Sequence, residues 1–152
     1  MKKVILIDDE ALARILVREY LQNHPEFEVV DECENGFDGL KAITNQKPDL
    51  IFLDIQMPKI NGFEMLELVS EPPPVIFTTA FDEYAIRAFE ANAIDYLLKP
   101  FSQERFDTAI SKWKISLPNH QPLKSIENVP LKYPEENQRI VVKTGNEIKI
   151  LP

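Results

Sequence analysis

A single cysteine, Cys33, stands among the 152 residues, so no internal disulfide can form. With only two histidines, His24 and His120, beside it, the Cys/His ligand sets of ordinary zinc sites are out of reach. Basic residues are in deficit. The 17 Lys plus Arg stand against 25 Asp plus Glu, a net charge of −8. That is the reverse of the basic stripe a nucleic-acid-binding domain carries. Long apolar runs are missing as well. Val4 to Ile7 is followed at once by Asp8, Asp9 and Glu10, whereas a secretory core needs about 7–15 apolar residues and a membrane span about 20. A cytoplasmic protein with no membrane association is therefore expected. No internal repeat or low-complexity segment is visible. What remains is 44% hydrophobic and 28% charged, the mixture of a globular domain.

The acid is unevenly placed. Residues 1–118 hold 12 basic and 21 acidic residues, a balance of −9, and residues 119–152 hold 5 and 4, a balance of +1. The chain therefore divides near residue 118. The boundaries expected are one domain over 1–117, a linker over 118–138 and the start of something further over 139–152. Pro118, Pro122, Pro130 and Pro134 punctuate the linker, which lacks glycine and should be semi-extended. Arg139–Lys143 and Glu147–Ile150 flank Thr144-Gly145-Asn146, a hairpin pattern. An isolated hairpin is marginal in water, so this segment is expected to open a domain that the chain does not complete.

Strand and helix patterns alternate through the first part. Val4–Ile7, Phe27–Val30, Leu50–Leu53, Val75–Thr79 and Ile94–Leu98 are short apolar runs. Between and after them, Leu12, Ile15, Leu16 and Tyr20, then Gly39–Ile43, Phe63–Val69, Glu83–Glu90, and finally Phe106, Ile110 and Trp113 have helical spacing or composition. This is an α/β pattern of the (βα)5 type. Strands apolar on both faces indicate a doubly wound parallel five-stranded sheet covered by helices. Sites in such sheets form beyond the carboxyl ends of the strands. Asp8, Asp9, Asp54, Thr79 and Lys99 all fall there.

Three carboxylates brought into one crevice repel one another, and a hard dication relieves that repulsion. A ligand set of oxygen alone suits Mg²⁺. A carboxylate beside such a site, with a lysine to neutralise charge and a threonine to donate a hydrogen bond, is what phosphoryl transfer to aspartate requires. Each residue also has a plainer reading. Asp8 and Asp9 suit the cap of the following helix, Asp54 suits a turn, and Lys99 a solvated charge. Thr78 competes with Thr79 for the hydroxyl role, because strand alternation sends them to opposite faces. Tyr96 suits core packing, Phe106, Ile110 and Trp113 a packing stripe, and Cys33 a small buried hydrophobe. His24 and His120 are expected at the surface.

Four short motifs together resemble the receiver domain of two-component response regulators. They are Asp8-Asp9-Glu10, Asp54-Ile55-Gln56-Met57-Pro58 with Gly62, Thr79-Ala80, and Lys99-Pro100-Phe101. The resemblance spans about residues 2–117 and implies a flavodoxin-like strand order, 2-1-3-4-5. It makes Asp54 the phosphoacceptor. Asp8, Asp9, Asp54 and the backbone carbonyl of Gln56 become the Mg²⁺ ligands. Thr79 becomes the switch hydroxyl, Lys99 the phosphate-contacting lysine and Tyr96 the switch aromatic. Lys99–Pro100 becomes a cis-peptide candidate. The implied partners are a sensor histidine kinase and, on phosphorylation, a second copy bound through the fourth helix, fifth strand and fifth helix. Arg87, Glu90, Asp95 and Arg105 offer mixed charges near that surface. Residues 139–150, with Phe77–Phe81 and Ala93–Pro100, resemble regulators with a LytTR DNA-binding domain, so DNA would be bound only by that further domain. The receiver would be no enzyme towards an external substrate, although it would catalyse its own phosphorylation and dephosphorylation. Two enzyme or binding classes fit less well. A haloacid-dehalogenase-type phosphatase wants Asp-x-Asp after its first strand, and a flavin-binding module wants a Ser/Thr/Gly-rich loop where Asp8-Asp9-Glu10 stands. A phosphorylation-independent receiver-like interaction module would not need an intact acid site.

Overall fold

The computed structural model describes residues 1–117, 143–144 and 147–148. The chain divides into two units between Trp113 and Lys114. The first unit contains strands β1 (Lys2–Ile7), β2 (Phe27–Cys33), β3 (Leu50–Asp54), β4 (Val75–Thr79) and β5 (Asp95–Leu98). Its helices are α1 (Ala11–Leu21), α2 (Gly36–Gln46), α3 (Gly62–Glu67), α4 (Ala85–Glu90) and α5 (Gln103–Ile115), with a 3₁₀ turn at Asp82–Tyr84. All neighbouring strands pair in parallel, in the order β2-β1-β3-β4-β5. The doubly wound sheet expected from the apolar runs is the sheet observed.

The period of two along each strand divides the core into two layers. Ile5, Ile7, Ile51, Leu53 and Phe77 join Ala42, Ile43, Phe63, Met65 and Ala88 in one buried cluster. Aromatic rings organise the other layer. Phe52 stacks on Phe106 at 5.2 Å, Tyr20 meets Phe106 edge-on at 5.4 Å, and Phe27 meets Trp113 at 5.0 Å. The stripe Phe106, Ile110 and Trp113 is therefore packing, and Cys33 is buried as a small hydrophobe. Burial, with the charges of Asp31 and Asp38 nearby, pushes the Cys33 thiol up to about 12.

Local chemistry explains the helix starts. Asn35 accepts from the Asp38 amide at 2.8 Å at the head of α2. Asn61 and Glu64 form a reciprocal capping box at the head of α3. Helix α1 begins at Glu10 without a side-chain cap. The helix expected over 63–69 ends at Glu67, and the one expected over 83–90 splits into the 3₁₀ turn and α4.

His24 requires a correction. Its side chain is only 14% exposed, and Nε2 lies 2.7 Å from Asp107 Oδ1 between the rings of Phe27 and Phe106. The turn after α1 folds back onto α5, which a local sequence window does not register. His120, the linker at 118–138 and most of the hairpin pattern lie outside the described residues. Within that pattern, strands β6 (Lys143–Thr144) and β7 (Glu147–Ile148) pair antiparallel. No helix among the described residues is long and apolar enough to cross a membrane.

Candidate functional site

The carboxyl ends of β1, β3, β4 and β5 share one edge of the sheet, because parallel pairing points all of them the same way. Asp54 is the last residue of β3 and Asp8 follows β1 directly. Both are buried, at 4% and 6% exposure, whereas Asp9 faces solvent. One ligand oxygen from each of the three lies within 4.8 Å of the others.

Asp8 and Asp9 do not cap α1. Asp8 Oδ1 accepts from the Glu10 amide at 2.9 Å and shapes the loop, while Arg14 Nη1 donates to the Asp8 carbonyl. Arg14 is itself tied to Glu32 by a 3.1 Å ion pair. Asp8 Oδ2 instead receives the Lys99 ammonium at 2.9 Å. Lys99 Nζ also lies 3.2 Å from Glu10 Oε1 and 3.8 Å from Asp54 Oδ2. The Lys99–Pro100 peptide is cis.

The electrostatics follow from this placement. Burial and the adjacent Asp8 charge push the Asp54 carboxyl up to about 8, and hydrogen bonding with Asp9 and Asp8 adds to the rise. Lys99 opposes it without cancelling it. Burial acts to lower the Lys99 ammonium, but the Asp8 hydrogen bond and the Asp8 and Asp54 charges hold it above its ordinary range. One lysine thus serves three acids. A dication held by the same oxygens would remove the repulsion that raises Asp54. The donor set, all hard oxygen with no sulfur or imidazole, fits such an ion.

The loop after Asp54 returns sharply. The Gly62 amide donates to the Ile55 carbonyl at 2.8 Å. A Cβ on Gly62 would lie 2.6 Å from the Asp54 carbonyl oxygen, so only glycine fits without displacing the end of β3. Gln56 lies in this loop, and its side-chain Nε2 donates to the Tyr84 hydroxyl at 2.7 Å.

Thr79 ends β4 and is fully buried, and its Oγ1 accepts from the Phe81 amide at 3.2 Å. Thr78 is buried too and pairs with Asp54 across the sheet. Tyr96 donates its hydroxyl to the Phe81 carbonyl and accepts from the Tyr84 amide at 3.3 Å. Burial, with Asp82 and Glu83 nearby, raises the Tyr96 phenol. Asp95, one of the mixed charges expected near the α4-β5-α5 surface, has a side chain only 7% exposed that takes Arg105 at 2.7 Å and Lys112 at 3.3 Å. Burial opposes its ionisation, yet Arg105, the Tyr96 amide and Lys112 hold the carboxyl below its usual range. Arg87 lies 4.2 Å over the Phe63 ring. The structure thus brings Asp8, Asp9, Asp54 and Lys99 together and links Thr79 to Tyr96 through Phe81. Sequence reasoning took in Glu10 only as part of the Asp8-Asp9-Glu10 motif and missed Arg14 and Tyr84 as supports. Those two are neighbours of the site only in the fold, and no short motif carries them.

Comparison with known proteins gives the same picture. Residues 4–111 match the family described as the response regulator receiver domain. The chain is 45% identical over 137 residues to the transcriptional regulatory protein BtsR of Escherichia coli, covering 83% of this chain and 57% of that protein. It is 43% identical over 117 residues to the sensory transduction protein LytT of Bacillus anthracis, covering 75% and 48%. The chain spans about half the length of these curated relatives. A Thermotoga maritima response regulator solved in complex with Mg²⁺ and BeF superposes with a TM-score of 0.66 at 31% identity, covering 74% of this chain and 99% of that one.

Proposed function

The chain belongs to the response regulator receiver family, and from that premise we propose that it is a switch operated by a phosphoryl group on Asp54. One observation carries the reading: Asp8, Asp9 and Asp54 converge within 4.8 Å with Lys99 Nζ 3.8 Å from Asp54 Oδ2. Asp8, Asp9, Asp54 and the backbone carbonyl of Gln56 would hold Mg²⁺. The ion supplies positive charge against the oxygens of the transferred group. The Thermotoga relative's complex with Mg²⁺ and BeF supports that choice of metal.

Asp54 supplies the nucleophile. A carboxylate oxygen bonds to phosphorus as the bond to the donor's leaving group breaks, and that group departs with its electron pair. The donor is a sensor histidine kinase or a small acyl phosphate. Lys99 turns from Asp8 towards a phosphoryl oxygen, and the Thr79 hydroxyl donates to another. Thr79 then draws on Phe81, whose carbonyl is held by Tyr96. Water attack on phosphorus later returns the Asp54 carboxylate and inorganic phosphate. The domain in this way catalyses its own modification without turning over an external substrate.

The output surface is α4, β5 and α5. Ile86, Phe89 and Leu98 are exposed there, at 72%, 83% and 44%, and a second copy of the chain would cover them. Arg87 and Glu90 lie nearby, but Asp95 and Arg105 are paired with each other within one subunit. The names of the BtsR and LytT relatives support a transcriptional regulator of the LytTR type, acting in the cytoplasm and binding DNA through a further domain.

The test uses Mg²⁺ with acetyl phosphate, followed by intact mass and oligomeric state. Wild type should gain one phosphoryl group and shift towards dimer, and Asp54→Asn should do neither. No adduct on wild type, or an undiminished one on the variant, would reject Asp54 as acceptor.

A further inference from the structure

Tyr84 sits where two hydrogen-bonded paths from the carboxyl ends of β3 and β4 meet. The first runs from Thr79 Oγ1 through the Phe81 peptide to the Tyr96 hydroxyl, which accepts from the Tyr84 amide at 3.3 Å. The second is direct. Gln56, two residues beyond Asp54, donates from Nε2 to the Tyr84 hydroxyl at 2.7 Å. The Tyr84 ring is fixed between these bonds. It is half-buried against the core cluster, 6.1 Å from the Phe63 ring and 6.5 Å from the Phe81 ring. Tyr84 is also the residue from which α4 starts, and no side-chain cap holds that start. This six-residue helix has Ala88 as its one buried residue, with Arg87 lying over the Phe63 ring beside it.

We propose that Tyr84 is a positioning residue that latches the loop after the acceptor strand to the start of α4, so that a dication in the acid cluster is felt at α4 before any phosphoryl group arrives. The inference rests on the receiver reading of that cluster, in which the Gln56 backbone faces the ion. The two paths then have different inputs. Gln56 reports the filling of the acid cluster, and Thr79 reports the phosphoryl group. Either displacement arrives at the same residue, one at its hydroxyl and the other at its amide. A coupling of this kind needs a physical link whose two ends both change, and the Gln56–Tyr84 bond is that link.

Tyr84→Phe removes the hydroxyl and keeps the ring against Phe63 and Phe81, so packing is retained. The measurement is the backbone amide spectrum during a titration with Mg²⁺ alone, then with beryllofluoride added as a phosphoryl mimic. In wild type, Mg²⁺ should shift the amides of Asp9 and Ile55 and also those of Ile86 and Ala88. In Tyr84→Phe, the Mg²⁺ shifts at Ile86 and Ala88 should fall at least twofold. Those at Asp9 and Ile55 should persist, and the beryllofluoride response of α4 should survive through Thr79. Gln56→Ala should weaken the α4 response as Tyr84→Phe does, and the double variant should lose no more than either single one. Unchanged Mg²⁺ shifts at Ile86 and Ala88 in Tyr84→Phe, with Asp9 and Ile55 responding, would overturn the latch alone. A wild type whose Asp9 and Ile55 amides ignore Mg²⁺ would overturn the metal reading and the latch with it.

Discussion

Helices α5 and α4 follow the last two strand positions of the same domain and are held in opposite ways. Helix α5 has thirteen residues and buries Phe106, Ala109, Ile110 and Trp113. Helix α4 has six, buries Ala88 and leaves Ile86 and Phe89 exposed. Burial of apolar surface contributes most of what holds an element in place, so α5 is an anchor and α4 can be displaced at little cost. The acid cluster is built on the anchored part, on β1 and β3, whose central residues are wholly buried. The groups that would carry a signal away, Thr79, Phe81, Tyr84 and Tyr96, lead to the loosely held part. A rigid site wired to a weakly held helix would turn a small charge change into a movement elsewhere.

Three substitutions bear on this contrast. The largest effect is expected at Phe106, which is fully buried and stacks on Phe52. Phe106→Ala should cost about 3–5 kcal/mol in urea unfolding, and a loss below about 1 kcal/mol would break the picture of α5 as anchor.

Asp95 comes next, because it fastens the start of β5 to α5 through Arg105 and Lys112. Asp95→Asn should cost about 1.5 kcal/mol, the low end for charged hydrogen bonds, since Arg105 is partly screened by solvent. The pH dependence has a definite sign. The folded-state pKa of Asp95 is depressed, so its contribution is complete above the unfolded value of about 3.9 and is lost as pH falls from there through the folded value. Wild type should therefore lose its advantage over Asp95→Asn on acidification below about pH 4. A stability difference that stays constant down to pH 2 would rule out the ion pair as its source.

The smallest effect belongs to Phe89, 83% exposed on α4. Phe89→Ala should change monomer stability by no more than about 0.5 kcal/mol, while weakening self-association after treatment with beryllofluoride. A large loss of monomer stability would mean that α4 is anchored after all.

Much of the fold was legible in the chain itself. Each β strand of the sheet begins or ends near a turn signal, and Leu50–Asp54 and Val75–Thr79 read as buried on both faces because they are. Asp8, Asp54 and Lys99 stood out because, with Asp9 and Thr79, they fall together at the carboxyl ends of successive apolar strands, although each alone has an ordinary structural reading. The short helix Ala85–Glu90 was less well bounded, since its composition continues smoothly from the 3₁₀ turn before it. His24 was misjudged as a surface residue, and the pairing of Asp95 was not foreseen, for one reason. Their partners, Asp107, Arg105 and Lys112, lie on α5, and polar residues that pair across the fold look in sequence like ordinary surface charge.

The order of apolar runs and the acids that end them determined, without coordinates, a parallel sheet with its chemistry at one edge. Both follow from local rules: side-chain alternation, helical period and turn residues act over a few neighbours. The tertiary structure alone decided how the charges are shared. It gave one lysine to Asp8, Glu10 and Asp54, left the Asp54 carboxyl raised, buried Asp95 in its own ion pairs and set Tyr84 between Gln56 and Tyr96. Those outcomes depend on distances of a few ångströms between residues far apart in sequence. Coulomb and hydrogen-bond energies change steeply over such distances, so no local pattern could have announced them.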